Sequence, residues 1–295
     1  MTGIIMNETR KGHLAAIFTI SVWGTTYISS KILLQDFRPV ELLMIRFVIG
    51  YCVLWLLYPH RLKTDGWKEE RLFLFAGLTG VTVYYLLENI ALQYTLASNI
   101  GVLITTAPFF TAILSKAAGI TDEKTTLWFY VGFAISMIGL CMLSFGGSGM
   151  ELHLLGDLLG LLAAVVWSVY SVLLKKITVF GYRTAGVTRR IFAYGTLFMI
   201  PVMVVLRFDP PWELMKKPVV LANVLYLGII ASAVCFLIWN LAVRLIGAVR
   251  TTIYVYLTPV ITVLSSVLIL QERITLIAGI GIILTLFGLI LSEKK

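Results

Sequence analysis

Ten runs of mostly apolar residues, each about as long as a bilayer-crossing helix, follow one another with short polar breaks. They fall near 13–34, 40–59, 72–94, 97–116, 126–145, 156–176, 184–206, 219–243, 248–270 and 274–292. A spanning helix needs roughly 20 such residues, so ten of them use about two-thirds of the chain. In hydrocarbon a helix satisfies its own backbone polar groups, which makes an all-α integral membrane protein the expected fold class. Composition agrees, since 59% of the 295 residues are hydrophobic and 13% charged. A soluble domain carries about 25% charged residues to face water. No stretch is left over for a separate soluble domain. Arg10 and Lys11 precede the first run without a small-residue cleavage pattern, so that run reads as an uncleaved span and not as a signal peptide.

The net charge of +9 is spread over the short connections and forms no nucleic-acid patch. With the N-terminus inside and loops assigned alternately, the inner side receives 15 Lys and Arg and the outer side 6. That excess places both termini in the cytoplasm and the chain in the plasma (inner) membrane as a multi-pass protein. Cys52, Cys141 and Cys235 lie inside apolar runs far apart in sequence, and His13, His60 and His153 at or near run ends. Neither set has the spacing of a disulfide framework or a metal site. No metal and no cofactor is expected.

The two halves match residue by residue. At an offset of 144, Trp23 maps on Trp167, Lys31 on Lys175 and Arg46 on Arg190. At 151, Asn89 maps on Asn240, Pro108 on Pro259 and Thr111 on Thr262. At 149, Glu123 maps on Glu272, Gly132 on Gly281 and Gly139 on Gly288. Trp, Pro, Asn and Arg matched in a fixed order mark an internal repeat. The units are residues 1–145 and 156–295, joined by the glycine-rich link 146–155. Five spans per unit is an odd number, so the second half enters the membrane from the opposite side. Ten transmembrane helices as two inverted five-helix repeats is a recurring transporter layout, with the cargo site between the repeats.

The Trp23–Gly24 pair, the ENIALQYTLASN segment from Glu88 to Asn99 and the matched prolines resemble the EamA family of the drug/metabolite transporter superfamily. The resemblance covers nearly the whole chain. It implies a ten-helix carrier, usually an exporter of amino acids, other metabolites or drugs. The implied central cavity is lined mainly by spans 1, 3, 4, 6, 8 and 9. The small-molecule cargo differs widely among such proteins.

Trp23, Thr26, Tyr27 and Ser30 recur at i, i+3, i+4 and i+7 and share a helix face, and Trp167, Tyr170 and Ser171 repeat the spacing. Both tryptophans lie near mid-span, away from an interfacial aromatic belt, so the stripes suit a cavity that stacks on and hydrogen-bonds an organic solute. Glu88 is a carboxylate inside an apolar run, where insertion of an ionised acid costs roughly 2.5–3.5 kcal/mol. It is expected to face the cavity, flanked by Tyr84 and Tyr85, as an acceptor for a substrate ammonium or as a proton-coupling group. Its counterpart is Trp239, so the acid has no twin. Asn89 and Asn240 are twins that either line the cavity or tie helices together. Pro108 and Pro259 are expected to kink spans 4 and 9 as packing kinks or hinges, with Thr105 and Tyr256 close by. Arg46 and Arg190 lie a turn or two inside their spans and are expected to snorkel to the interface. Small residues on spans 5 and 10 permit close helix approach, either packing the halves together or forming a homodimer within the lipid bilayer.

A membrane enzyme would need a nucleophile with its base, or a metal cluster. The sequence has no intramembrane His, no HExxH, no GxSxG and no Walker A loop. A channel usually builds one pore by oligomeric symmetry, whereas kinked, inverted halves suit alternating access. A secondary-active exporter of small amino-acid-like or amphipathic metabolites is the expected function; the alternatives are drug efflux on the same fold, or a membrane scaffold or channel without carrier activity.

Overall fold

The computed structural model describes residues 2–95, 97–120, 125–145, 154–270 and 275–292. Their regular structure is entirely helical. The first half holds α1 (Thr2–Leu33), α2 (Pro39–Leu57), α3 (Trp67–Tyr94), α4 (Ala97–Ile104), α5 (Ala107–Ala117) and α6 (Leu127–Phe145). The second holds α7 (Leu154–Thr178), α8 (Thr184–Val205), α9 (Pro218–Ile246), α10 (Ala248–Ile253), α11 (Leu257–Leu270) and α12 (Leu276–Ser292). Helices α2, α3, α7, α8 and α9 are each long and apolar enough to cross a membrane, and Leu127–Met142 and Gly279–Ser292 are shorter apolar helices. The Glu123, Glu272, Arg273 and Lys294 positions, and most of the link 146–155, lie outside the described residues.

Local chemistry sets the helix ends. Pro39 opens α2, where its missing N–H has no intrahelical partner to lose. Glu41 then turns back to accept the Arg38 main-chain N–H at 2.8 Å. Gly247 closes α9 at a φ of 92°, a left-handed turn that lets α10 start at once.

Two helices carry a wide, π-helical stretch, at Leu78–Val83 in α3 and Tyr226–Val234 in α9. The Tyr84 N–H reaches back five residues to Thr79, and the Cys235 N–H reaches back five to Ile230. Adding the repeat offset of 151 to the first pair gives the second. The prolines differ from expectation in a related way. Neither kinks a continuous helix. Pro108 lies in the first turn of α5, after a break at Thr105–Thr106, and Pro259 in the first turn of α11, after the tight turn Tyr254–Tyr256. A first-turn proline breaks no intrahelical bond, so each one starts a new helix after an interruption.

The first helix of each half packs against the other half. Helix α1 lies along α9 and α11, and α7 lies along α3, α4 and α5. Helix α2 packs on the wide turn of α9, as α8 packs on that of α3. Each contact thus has its repeat twin, and the halves interlock.

Helices α6 and α12 run together at very close approach. A Cβ at Gly139 would come within 2.6 Å of the Thr285 nitrogen, and one at Gly288 within 2.6 Å of the Ser136 nitrogen. Ser136 Oγ donates to the Thr285 carbonyl at 3.3 Å. The small-residue faces therefore pack the two halves together within one chain. Pairing of two copies through these helices would use their outer faces, where Ile138, Ile283 and Phe287 are exposed.

Candidate functional site

One central cavity draws residues from both halves. Helix α1 gives Trp23, Thr26 and Ser30, α2 gives Arg46, and α3 gives Tyr84, Tyr85, Glu88 and Asn89. Ile104 at the end of α4, Trp167 of α7, and Val255 and Thr258 at the α10–α11 interruption complete the wall. The free space is narrow, with room for about three water molecules. Spans 1, 3, 4, 6 and 9 contribute as expected from the family resemblance. Span 2 joins them through Arg46, and span 8 stands one layer behind.

Aromatic rings fill the space that the narrow cavity leaves. The Trp23 ring meets Trp167 edge-on at 5.4 Å and Trp239 at 5.1 Å. Tyr84 lies 4.8 Å from Trp167 and 4.8 Å from Tyr85. Phe236 packs under the group, 5.5 Å from Trp23 and 5.0 Å from Phe192. Edge-to-face pairs of this kind contribute about 0.5–1.5 kcal/mol each beyond burial. Glycine makes one of these approaches workable, because a Cβ at Gly80 in the α3 wide turn would overlap the Tyr170 ring.

Among the described residues, one carboxylate and one guanidinium line the cavity. Glu88 is 8% exposed and accepts the Tyr84 hydroxyl at 3.1 Å. Arg46 is 3% exposed. Its Nε donates to Ser232 Oγ at 3.0 Å, and its guanidinium carbon lies 4.7 Å from the Tyr85 ring centroid. The expected snorkelling of Arg46 is thus overturned. The wide turn of α9 packs over this part of α2 and supplies Ser232, which holds the side chain inward. Its twin Arg190 behaves differently and pairs with Glu70 at 2.5 Å.

Other candidates lie outside the cavity wall. Tyr170 donates to Asn240 Oδ1 at 2.6 Å, and Asn240 donates to Thr188 at 2.9 Å, so these residues tie α7, α9 and α8 together. Asn89, the twin of Asn240, lines the cavity and donates to the Tyr85 carbonyl at 2.9 Å. Ser171 bonds back to the Trp167 carbonyl. Thr105 is fully buried at the α4–α5 break, with its hydroxyl 3.8 Å from Met137 Sδ. Trp239 and Tyr256 are fully buried behind the wall. The Tyr27 side chain lies outside the described residues. Sequence reasoning missed Arg46 as a cavity residue, although an arginine inside an apolar run was the available signal.

Polar clamps hold both ends of α8. At one end Arg190 binds Glu70 and the Leu62 carbonyl, Tyr194 donates to Glu70, and Thr64 donates to it at 2.7 Å. Nearby, Tyr182 donates to Glu69 at 2.6 Å, and that carboxylate, with burial second, pushes the phenol up to about 12. At the other end Arg38 binds Glu41 and the carbonyls of Leu206 and Arg207. The first clamp lies at the end that the charge asymmetry assigns to the cytoplasm.

Known proteins resemble this chain over its whole length. An uncharacterized transporter of Archaeoglobus fulgidus is 29% identical over 289 residues, covering 97% of this chain and 98% of its own. The uncharacterized transporter YdfC of Bacillus subtilis is 27% identical, over 94% of this chain and 89% of its own. A probable terminal-alkyne amino-acid exporter of Streptantibioticus cattleyicolor is 24% identical, over 97% and 94%. A crystal structure shares the fold at a TM-score of 0.74 and 19% identity, covering 98% of this chain and 96% of the other. The EamA-like transporter family model matches twice, at residues 10–145 and 154–293. The chain is a multi-pass membrane protein and belongs to the EamA-like transporter family.

Proposed function

We propose that the chain is a secondary-active exporter of small organic metabolites, working by alternating access around the central cavity. In this reading ten spans form two inverted repeats, residues 1–145 and 156–295, with both termini in the cytoplasm and the protein in the plasma membrane. The observation that carries it is the convergence of both halves on one narrow, charged and aromatic cavity. Interrupted helices beside that cavity support the same reading, because carriers build midplane sites from discontinuous helices. Glu88 serves there as the ammonium acceptor or the proton-coupling group. The amino-acid exporter among the relatives fits a metabolite of that class.

A carboxylate held among aromatic rings also suits lipophilic cations, which makes drug efflux the second reading. Counterflow in proteoliposomes tests the carrier function. A carrier accumulates labelled cargo against its own gradient and saturates, whereas a channel or scaffold shows neither behaviour.

A further inference from the structure

We propose that Arg46 receives the carboxylate of the transported molecule, so that the cargo is an acid or zwitterion with an apolar or aromatic side group. This deepens the proposed function and rests on the same cavity being the cargo site.

A guanidinium offers five N–H donors and stays charged at any working pH. In α2 that charge is 3% exposed and lines the cavity. Its Nε donates to the Ser232 hydroxyl, and the Tyr85 phenol also hydrogen-bonds the guanidinium. The Tyr85 face lies against the guanidinium carbon. No carboxylate among the described residues reaches ion-pair distance of Arg46. The one acid of α2, Glu41, is bound by Arg38, and Glu70 is bound by Arg190. A buried charge held by neutral hydroxyls and a ring face, with no anion beside it, is incompletely compensated.

The arrangement is suited to a ligand. The Ser232 bond and the Tyr85 ring fix the guanidinium plane and leave its Nη edge for a planar anion. A carboxylate matches that fork with two parallel bonds. Glu88 lines the same cavity, and Tyr85, whose ring lies against Arg46, lines it too. A molecule with a carboxylate, an ammonium and an apolar group would meet Arg46, Glu88 and the tryptophan walls together. A lipophilic cation would be repelled by Arg46.

The test uses the purified full-length chain and three probes: L-phenylalanine, 3-phenylpropionate and 2-phenylethylamine. Both acids should raise the unfolding temperature of the wild type, and the amine should not. Arg46→Gln should weaken the response to both acids by about tenfold or more, leaving the unliganded fold intact by size exclusion. Should Arg46→Gln fail to fold, Arg46→Lys keeps the charge and loses the fork, and its response to the acids should still be weaker. The proposal is overturned by an amine that stabilises as well as the acids, by a wild type that responds to neither acid, or by acid responses that survive the substitution. Counterflow separates the two claims. Acids that bind without counterflow sink the carrier function and leave the Arg46 site standing. Saturable counterflow of a cation such as ethidium, without acid binding, does the reverse.

Discussion

The indole N–H of Trp23 donates to the main-chain carbonyl of Ala231 at 2.9 Å and pins the first helix of one half to the wide turn of the other. In a regular α-helix the Cys235 N–H would bond to Ala231. Here it bonds to Ile230, and the side chain of Trp23 takes the Ala231 carbonyl. Trp23→Phe keeps a ring against Trp167 and removes the donor. It should destabilise the protein by about 1–2 kcal/mol, read from unfolding in detergent. An unchanged midpoint would mean that the bond does not contribute.

Glu88→Gln keeps the size of the side chain and removes its charge. The variant should insert and express normally, because the neutral amide is cheaper than an ionised acid within the bilayer. Transport should be lost, or should lose its dependence on the pH gradient. Normal transport across pH would rule out both roles assigned to Glu88.

The clamp on Glu70 is partly buried, with side-chain exposures of 26% for Arg190 and 11% for Glu70. Arg190→Ala should remove about 1–2 kcal/mol from the state in which this end is closed, less than a fully buried pair would give. A cysteine at Thr26, in a background lacking Cys52, Cys141 and Cys235, reports the change. Its labelling by an impermeant maleimide from the clamp side should accelerate several-fold. A rate equal to that of the parent would show that the clamp does not hold the cavity shut.

Gly139→Leu puts a branched side chain where a single Cβ already overlaps the Thr285 backbone. Helices α6 and α12 must then separate, and the loss should reach about 1–3 kcal/mol or prevent assembly. The same change at Gly279, where a Cβ meets nothing within 4 Å, should be tolerated and serves as the control.

The sequence was informative wherever a residue acts through its own helix. Trp23, Thr26 and Ser30 could be placed on one face by spacing alone, and Glu88 stood out because an acid inside an apolar run needs a reason. Partners on other helices could not be read in this way. Matching Arg46 with Arg190 showed that they are equivalent, yet one faces the cavity and the other binds Glu70, because their neighbours differ. Asn89 and Asn240 diverge for the same reason. The repeat likewise gave no sign that α1 and α7 each pack on the opposite half, since an offset aligns residues without saying what they touch. The prolines were legible as interruptions, but whether they kink a helix or start one depends on where the chain breaks in the few residues before them.

The wide turns of α3 and α9 have a mechanical consequence. Each holds one residue more than a regular turn requires, and when that spare residue moves along the rod only the stretch it passes swivels, by about 100°, without breaking the helix. In α3 the swivel lies between Glu70, at the clamp, and Glu88, in the cavity. The faces between clamp and cavity can therefore turn to new neighbours while both ends keep their register. The same joint recurs at the equivalent place in α9, so each half carries its own.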